Sequence, residues 1–482
     1  MTAIARKFLV YVLAMLLMSF VGVCEAIKTS SHSSAPKDSG VATFDKLVQN
    51  SQKFHASLSF PMLPNRIATI AGNDVSKKNK IAQQAQDTRP IIDQSVIRLI
   101  NDFLAYKKQH GSAIEKSLYA SLNEHSFVDR LLVKRPLMFM TESDSYYLRN
   151  GRVGDGGFDD IGTKNQKAPL ILSDYLSYDE MQIAALLGVS VPTMFINNGS
   201  RNNMAQVGQS GSYQEEGVYT ALVGARFERP GLMEWQHMII TPEQNTIENG
   251  YGGSSKYGKH LISLWSKLYG THFPTFEQAQ ADKTGRYVLI SNNRYFDTLV
   301  YKKRMKLVLE PFLVDANERG KKNNKKVYCH AVGLGLGVWQ VYDHQSKYML
   351  EAYADIIRSR NLSWISDIDF SWFPANYQSC GGVGDLGNFK TKTNNITIHF
   401  SQRNPADRLA GVNVGKLLVA MYAWDGNAYP GNEYWQKMWS ASGDPAAACC
   451  STISELQNPL INFYLSFKKL FIVKKQAAGK GK

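Results

Sequence analysis

The segment that most constrains the fold is Val327–Trp339, which reads VYCHAVGLGLGVW. An apolar run typical of a buried strand continues into three alternating glycines, Gly333, Gly335 and Gly337, and a helical pattern begins at about Gln340. Glycines let backbone N–H groups approach a ligand closely, and the N-terminus of a helix favours negative charge. A strand, a glycine loop and a helix in this order predict an α/β layer with a phosphate-binding loop at its edge.

Beyond about residue 170 the chain alternates between strand-like and helix-like stretches, which predicts an α/β fold class with a layered sheet. The predicted strands are Val189–Asn197, Met238–Thr241, Tyr287–Ser291, Val327–Val332, Ile365–Phe370, Ile396–Phe400 and Leu417–Trp424. Helices are predicted between them at Tyr295–Pro311 and Gln340–Ile357. Two further helical patterns, Gln94–Gln109 and Ala113–Val133, predict an N-terminal helical extension.

Composition places the chain among globular proteins, because 44% of its 482 residues are hydrophobic and 11% are aromatic. The formal net charge of +14 predicts an acidic partner such as nucleic acid, anionic lipid or a phosphate-bearing substrate. A solvated basic surface is the alternative. The lysine-rich end after Leu465 has the same two interpretations, contact with anionic lipid or a solvated tail.

The N-terminus has the features of a secretory signal peptide. Arg6 and Lys7 precede an apolar run, Phe8–Val23, and cleavage is expected after Ala26. We therefore expect a secreted or periplasmic protein, with a host compartment as a further destination, that does not span a membrane once mature. A retained anchor is the alternative.

Metal-binding spacings such as CxxC or HExxH do not occur in the sequence, so neither a metal site nor a cofactor is predicted. Four cysteines follow the predicted cleavage point, and the sequence does not choose among their three possible pairings.

Polar side chains follow several predicted strands, where ligands of layered α/β sheets bind. Asn197 and Asn198 come after one strand and can bind ribose hydroxyls, although turn formation explains them equally well. Asp425 and Glu433 follow another strand, in a loop that also carries the aromatic side chain of Tyr429. Carboxylates beside aromatic rings are suited to acid–base chemistry on a stacked ligand.

Two other carboxylates, Glu216 and Asp315, are candidates for that chemistry. Ser212 and Glu215 fit a capping box, which leaves Glu216 free on a first helical turn to activate water or protonate a leaving group. Asp315 is a further candidate, for which a structural role at a helix end is the alternative.

Together these segments resemble the macrodomain superfamily, in particular the poly(ADP-ribose) glycohydrolase branch and the MavL-like bacterial-effector macrodomains. The resemblance is carried by Gln214-Glu215-Glu216, by Asn197-Asn198 and by the Gly333–Trp339 loop, and it spans roughly residues 170–455. The glycines before the glutamates are dispersed, unlike the Gly-Gly-Gly run of the glycohydrolases. The Asp425–Glu433 loop resembles the effector-type clade that acts on ADP-ribosylated arginine.

The resemblance implies a mixed β-sheet sandwiched between helices that binds ADP-ribose or ADP-ribosylated protein, with no nucleic acid as partner. It implies an ADP-ribosyl glycohydrolase, with a catalytically silent ADP-ribose-binding module and a scaffold whose helical part docks a partner as alternatives. The implied catalytic candidates are Glu216, Asp425, Glu433 and Asp315. The implied ligand-binding residues are Asn197, Asn198, Gln214, Glu215, Gly333, Gly335, Gly337, Val338, Trp339 and Tyr429.

The expected organisation is a signal peptide (1–26), a tether (27–90), a helical subdomain (91–165), the macrodomain-like domain (166–455) and a basic tail (456–482). A Rossmann fold is disfavoured, because Val338 occupies the third glycine position of its fingerprint.

Overall fold

The computed structural model describes residues 43–253 and 260–475. The predicted signal peptide and the first part of the predicted tether lie outside the described residues. The described residues all belong to one unit, which begins at Gly40.

The first half of the chain supplies helices and the first six strands. They are α1 (Phe44–Ser57), α2 (Ile67–Ala71), α3 (Val75–Gln86), β1 (Arg89–Asp93), α4 (Gln94–His110), α5 (Ala113–Ala120), α6 (Glu124–Val133), β2 (Met138–Met140), β3 (Ser145–Tyr147), β4 (Val153–Gly154), α7 (Tyr178–Ala184), β5 (Gly188–Met194) and β6 (Glu216–Leu222).

The second half begins with a small helix and strand and then builds most of the parallel sheet. Its elements are α8 (Trp235–Met238), β7 (Ile239–Ile240), α9 (Ile262–Tyr269), α10 (Phe276–Ala281), β8 (Tyr287–Ser291), β9 (Arg294–Asp297), α11 (Thr298–Asn323), β10 (Val327–Ala331), α12 (Gln345–Ser359), β11 (Ile365–Ser371), β12 (Asn388–Lys390), β13 (Asn395–Ser401), β14 (Leu417–Ala423), α13 (Gly443–Cys450), α14 (Ile453–Leu456) and β15 (Phe471–Val473).

A nine-stranded mixed sheet organises the molecule, in the order β12-β13-β11-β10-β14-β6-β5-β1-β15. The strands β13, β11, β10, β14 and β6 run parallel to one another, whereas β5 runs antiparallel to β6. The parallel strands are rich in buried β-branched and aromatic residues, as expected when helices cover a sheet. The predicted α/β class is confirmed.

The longest helices pack against this sheet and close the core. The α12 ring of Tyr353 meets Phe370 of β11 edge to face, with 4.9 Å between ring centroids. The helix α11 packs along β1, β5, β10 and β15, and it continues through Pro311, where the sequence predicted its end. Tertiary packing of the apolar helix face outweighs the single lost hydrogen bond at that proline.

Several elements differ from the sequence predictions. Glu216 was predicted to lie in a first helical turn, but it is the first residue of β6. The reason is that the GVYTAL run that follows it is buried in the sheet. The predicted helix over 113–133 is two helices, since Asn123 caps a second one. The helix after the glycine loop begins at Gln345, five residues later than predicted. The predicted tether contains α1 to α3, and the predicted tail contributes β15 to the sheet.

Two more findings bear on the sequence predictions. No helix within residues 43–253 and 260–475 is both long and apolar enough to cross a membrane. Four cysteines, Cys329, Cys380, Cys449 and Cys450, are buried free thiols. Burial raises the pKa of the Cys329 thiol, which makes it an inert core residue.

Candidate active site

The loops after three neighbouring parallel strands meet at one edge of the sheet. Because β6, β14 and β10 run in the same direction, the residues that follow them lie together at their carboxyl ends. These residues are Gly224 to Glu228 after β6, the Asp425 loop after β14 and the Gly333 loop after β10. Ligands of open α/β sheets bind at this edge.

Three carboxyl groups come together here. One oxygen each of Asp425, Glu433 and Asp444 lies within 4.8 Å of the other two. Asp425 lies two residues after the end of β14, Glu433 lies in a short 3₁₀ turn, and Asp444 lies in the first turn of α13. Glu433 and Asp444 are buried, whereas Asp425 is half-buried. We call these three residues the acidic cluster.

Loop residues hold the acidic cluster in place through directed hydrogen bonds. The Asn432 amide donates to Asp425 Oδ2, and its carbonyl oxygen accepts from the backbone N–H of Phe139 at 2.9 Å. The backbone N–H of Gly431 donates to Asp444 Oδ1 at 2.6 Å. Gly431 has a φ of +100°, which a residue with a side chain rarely adopts. The turn that presents the cluster therefore requires this glycine.

The surroundings of the acidic cluster favour the protonated form of each of its carboxyl groups. Burial raises the pKa of Asp425 well above its ordinary value, and the neighbouring Glu433 carboxylate raises it further. Burial likewise raises the pKa of Asp444, with Asp425 and Glu433 adding to the effect. Burial raises the pKa of Glu433 to about 7. With a pKa of about 7, Glu433 can donate and accept a proton at neutral pH, as general acids and bases do.

An arginine lies beside the acidic cluster. Arg226 is buried, and its Nη2 donates to Glu228 Oε2 at 2.5 Å. The guanidinium carbon lies 5.0 Å from the ring centroid of Phe139 and 5.6 Å from that of Trp339. Its charge lowers the raised pKa of Asp425 in part. Arg226 thus connects the acidic cluster to the aromatic end of the glycine loop.

The glycine loop packs against the loop after β6. A Cβ on Gly335 would lie 2.7 Å from the carbonyl oxygen of Ala225, and a Cβ on Gly224 would lie 2.3 Å from the backbone N of Gly335. Gly335 also has a φ of +66°. These two glycines therefore allow two backbones to touch. Gly337, in contrast, is exposed and has free space around it, and Val338 beside it is exposed as well.

Several buried polar atoms near the acidic cluster lack hydrogen-bond partners within the described part of the chain. They are Arg226 Nη1, Trp424 Nε1 and both amide atoms of Asn427. Buried polar groups are nearly always hydrogen-bonded, so unpaired ones at a strand-end cleft indicate a ligand site. Arg226 and Trp424 can only donate, and a polar ligand with acceptor oxygens matches them.

The cluster can also be considered as a cation site. Three carboxylate oxygens within 4.8 Å of one another are a donor set that magnesium or calcium accepts. The sequence spacing gave no sign of this set, because its members belong to a loop, a 3₁₀ turn and a helix. Either protons or a hard cation would relieve the repulsion among the three groups.

Five of the residues predicted for the site lie at the opposite edge of the sheet. Because β5 is antiparallel to β6, Met194 pairs with Glu216, and both lie at the end of the sheet opposite the carboxyl ends of β6 and β14. Glu216 is half-exposed and forms an ion pair with Lys80. Asn197 uses its side chain to hold its own loop, donating to Gln206 O at 2.9 Å.

The other three residues at this edge make local contacts too. Asn198 donates to Asp407 Oδ1 at 2.9 Å. Glu215 accepts from Ser210 Oγ at 2.7 Å. The backbone N–H of Gln214 donates to Ala406 O at 2.8 Å. Strand direction is the physical reason that these residues and the glycine loop do not share one cleft.

Two further predicted residues are buried in structural contacts. Asp315 is a fully buried residue of α11 and accepts from Arg319 Nε at 2.8 Å and from Ser190 Oγ at 2.6 Å. Tyr429 is fully buried as well and donates to the carbonyl of Val133 at 2.6 Å. Neither side chain reaches the acidic cluster, so the structure supports the alternative interpretation of Asp315 as a structural residue.

Comparisons with known proteins agree on one family. A family model described as "ADP-ribosylhydrolase MavL-like" matches residues 45–478. The "ADP-ribosylarginine hydrolase CG2909" of Drosophila melanogaster is 36% identical over 399 residues, which are 80% of this chain and 79% of the relative. The "ADP-ribosylarginine hydrolase CG3568" of the same organism is 38% identical over 403 residues, 80% of this chain and 78% of the relative.

Proposed function

This chain belongs to the MavL-like ADP-ribosylhydrolase family, and from that premise we propose that it hydrolyses the bond between ADP-ribose and a modified arginine side chain of a protein. The observation that carries the proposal is the acidic cluster, Asp425, Glu433 and Asp444, at the carboxyl edge of the sheet. The predicted hydrolase activity agrees with both relatives, which are named ADP-ribosylarginine hydrolases.

The chemistry needs one acid and one base close to the anomeric carbon. A bond forms between that carbon and a water oxygen, and the bond from the carbon to the guanidine nitrogen breaks. A protonated carboxyl donates its proton to the departing nitrogen, while an ionised carboxylate accepts a proton from the water. The cluster ends with as many protons as it had at the start. Glu433, with a pKa of about 7, can hold the proton to be donated.

The cluster also suits the charge of this substrate. The ribosyl centre becomes cation-like as the bond breaks, and the arginine guanidinium is itself positive. Carboxylates within a few ångströms stabilise both charges, and burial strengthens the interaction by excluding water. Asp425 is the half-buried member of the cluster, and we assign to it the contact with the incoming water or the ribose.

The remainder of ADP-ribose is assigned to the neighbouring loop. The exposed Gly337 and Val338 backbone offers N–H groups to the diphosphate, and Arg226, with one unpaired nitrogen, offers a charged donor. Trp339 supplies an aromatic wall beside Arg226. We further propose that the fold is macrodomain-like and related to that of the poly(ADP-ribose) glycohydrolases. The order of strand, glycine loop and helix at a parallel sheet supports this relationship.

A release assay tests the function. Protein carrying ADP-ribose on arginine is incubated with the wild-type chain and with Asp425→Asn, Glu433→Gln and Asp444→Asn. We expect free ADP-ribose from the wild type and a ~10²–10⁴-fold lower rate from the Glu433 variant, with ADP-ribose binding retained in calorimetry. Binding without release by the wild type would instead select the silent binding module. Parallel assays in EDTA and in magnesium distinguish a proton-filled cluster from a cation-filled one.

A further inference from the structure

A second, basic cavity lies away from the acidic cluster. It has a volume of about 520 Å³ and lies between α4, α9 and the first half of α11. Five cationic side chains line it, together with three carboxylates: Arg98, Lys267, Lys303, Lys306 and Lys475, and Asp93, Asp102 and Glu310. Cavities of this size accommodate small organic ligands.

The carboxylates of the basic cavity already have partners. Asp93 accepts the backbone N–H of Ser95 at 2.7 Å and so caps α4. Asp102 forms an ion pair with Lys267 at 2.7 Å. Glu310 is paired with Arg360, which approaches from outside the cavity. Of these three carboxylates, only Asp102 is ion-paired with a cation of the wall within the described part of the chain, and the five cations exceed the three carboxylates by two, so the lining keeps a net positive charge.

The remaining cations have weak partners or none. Neither Arg98 nor Lys475 has a carboxylate within 4.0 Å in the described ranges, 43–253 and 260–475. The nearest carboxylate to Lys306 is that of Asp355, at 3.8 Å and half-exposed. Such exposed contacts contribute little, so these three side chains can each receive an anion.

Lys303 gives the clearest sign of uncompensated charge. Its ammonium donates to the neutral carbonyl of Tyr269 at 2.7 Å. Burial lowers the pKa of Lys303, the neighbouring Arg286 guanidinium lowers it further, and the Asp297 carboxylate offsets this only in part. An anion bound beside Lys303 would stabilise its charged form and offset both effects.

The rest of the wall is apolar. Leu99, Leu264, Leu268 and Leu307 line the same cavity. Leucines beside cationic groups match a ligand that carries both a phosphate and a hydrocarbon or ring. A simple inorganic ion would contact the cations but leave the leucine surface uncovered.

We propose that this cavity is a second, non-catalytic site for an organic phosphate. It is separate from the hydrolase site, since β1, which bears Asp93, is three strands away from β14 in the sheet order. The phosphate lies among Arg98, Lys303 and Lys306, and the organic part covers the leucines. Free phosphate esters and the phosphate headgroup of a lipid share this chemistry. The proposal does not depend on the hydrolase assignment.

Titration tests the site with the full chain in the absence of ADP-ribose, because ADP-ribose is itself an organic phosphate and would compete for the cavity. The probes are pyrophosphate, phenyl phosphate and vesicles that contain phosphatidic acid. The test variants are Lys306→Gln and Arg98→Gln/Lys306→Gln. The matched control is Lys302→Gln, which removes the same charge from the same helix but from a residue that pairs with Glu351 outside the cavity.

We expect the binding free energy per unit of probe charge to be more favourable for phenyl phosphate than for pyrophosphate. The double variant should lose at least about tenfold in affinity. The control should stay within about twofold, and salt should weaken binding. Binding to vesicles but not to the soluble probes would identify the source of the phosphate as lipid. No binding of any probe at millimolar concentration, or binding unchanged in the double variant, would overturn the proposal.

Discussion

Glu433 determines the pH dependence that we expect of the reaction. With a pKa of about 7, it loses its donatable proton as the pH rises through that value. The wild-type kcat should therefore fall above about pH 7, and Glu433→Gln should be ~10²–10⁴-fold slower at pH 6 without that descending limb. The measurement is kcat for ADP-ribosylarginine protein between pH 5 and 9. A variant that keeps the wild-type profile would remove Glu433 from the acid role.

The same residue links activity to stability. A carboxyl group whose folded-state pKa is raised contributes stability below its ordinary value of 4.5, and that contribution is lost as the pH rises through about 7. A shift of this size corresponds to roughly 3 kcal/mol at a fully buried group. Ionising Glu433 therefore costs the fold free energy, which is a cost that proteins tolerate at catalytic residues.

Neighbouring carboxylates hold Arg226 in one orientation. Its guanidinium is bound to Glu228, and its backbone N–H donates to Glu234 at 3.2 Å. Glu234 in turn accepts from Arg304 at 2.8 Å. The buried Arg226 therefore has a fixed orientation, with Nη1 unpaired within the described part of the chain. A fixed donor loses little entropy when it binds a phosphate or a ribose oxygen.

The glycine loop contains two kinds of glycine, and substitution should separate them. Gly337 has room for a side chain, so Gly337→Trp should leave the melting temperature nearly unchanged and weaken ADP-ribose binding at least about tenfold by blocking the exposed backbone. Gly335→Ala should instead lower the melting temperature, because its Cβ meets the Ala225 carbonyl at 2.7 Å. Calorimetry with ADP-ribose and thermal unfolding measure the two effects. Full affinity in Gly337→Trp would place the diphosphate elsewhere.

The strands that the sequence predicted well are the ones with continuous apolar runs. Val327–Ala331 and Leu417–Ala423 lie within one residue of their predicted ends, because buried parallel strands need apolar residues on both faces. The strand β6 was missed, since the capping pattern of Ser212 and Glu215 before it predicted the start of a helix. Local pattern alone could not show that this segment fills the space between β5 and β14.

At the candidate site, the sequence predicted the Asp425–Glu433 loop but not the residues from other segments that lie beside it. Asp425 and Glu433 were predicted from their aromatic loop, and the structure brings them together with Asp444. Asp444 had the features of an ordinary helix start, and Arg226 and Glu228 carried no local signal. Only the sheet order places the end of β6 beside the end of β14. Strand direction likewise moved Asn197 and Glu216 to the far edge.

The whole molecule depends on how its N-terminal part joins the sheet. The strand β1 lies between β5 and β15, so the helical extension and the end of the chain share one sheet with the acidic cluster. Glu455 of α14 accepts the backbone N–H of Ile67 at 2.6 Å, and Asn65 donates to Ala448 O at 2.7 Å. These long-range contacts explain why the predicted tether is structured within the described residues.

Asp315 allows a test at the scale of the whole molecule, because it joins α11 to β1 and β5. It forms ion pairs with Arg89 at 2.5 Å and with Arg319 at 2.8 Å while fully buried. Burial alone would raise its pKa, but the two guanidinium groups outweigh burial and lower it. A carboxylate with a lowered pKa contributes stability that is present above its ordinary value of 3.8 and is lost as the pH falls below it.

Asp315→Asn should therefore lower the free energy of unfolding by about 3–5 kcal/mol at pH 7 and reduce the loss of stability below pH 4. Its kcat at 20 °C should match the wild type, since Asp315 does not reach the acidic cluster. Urea unfolding at pH 7 and pH 3.5 and the release assay measure these effects. Glu351→Gln, which breaks the exposed pair with Lys302, is the control and should cost at most about 1 kcal/mol. A stable Asp315→Asn chain with a greatly reduced kcat would instead return this aspartate to the catalytic candidates.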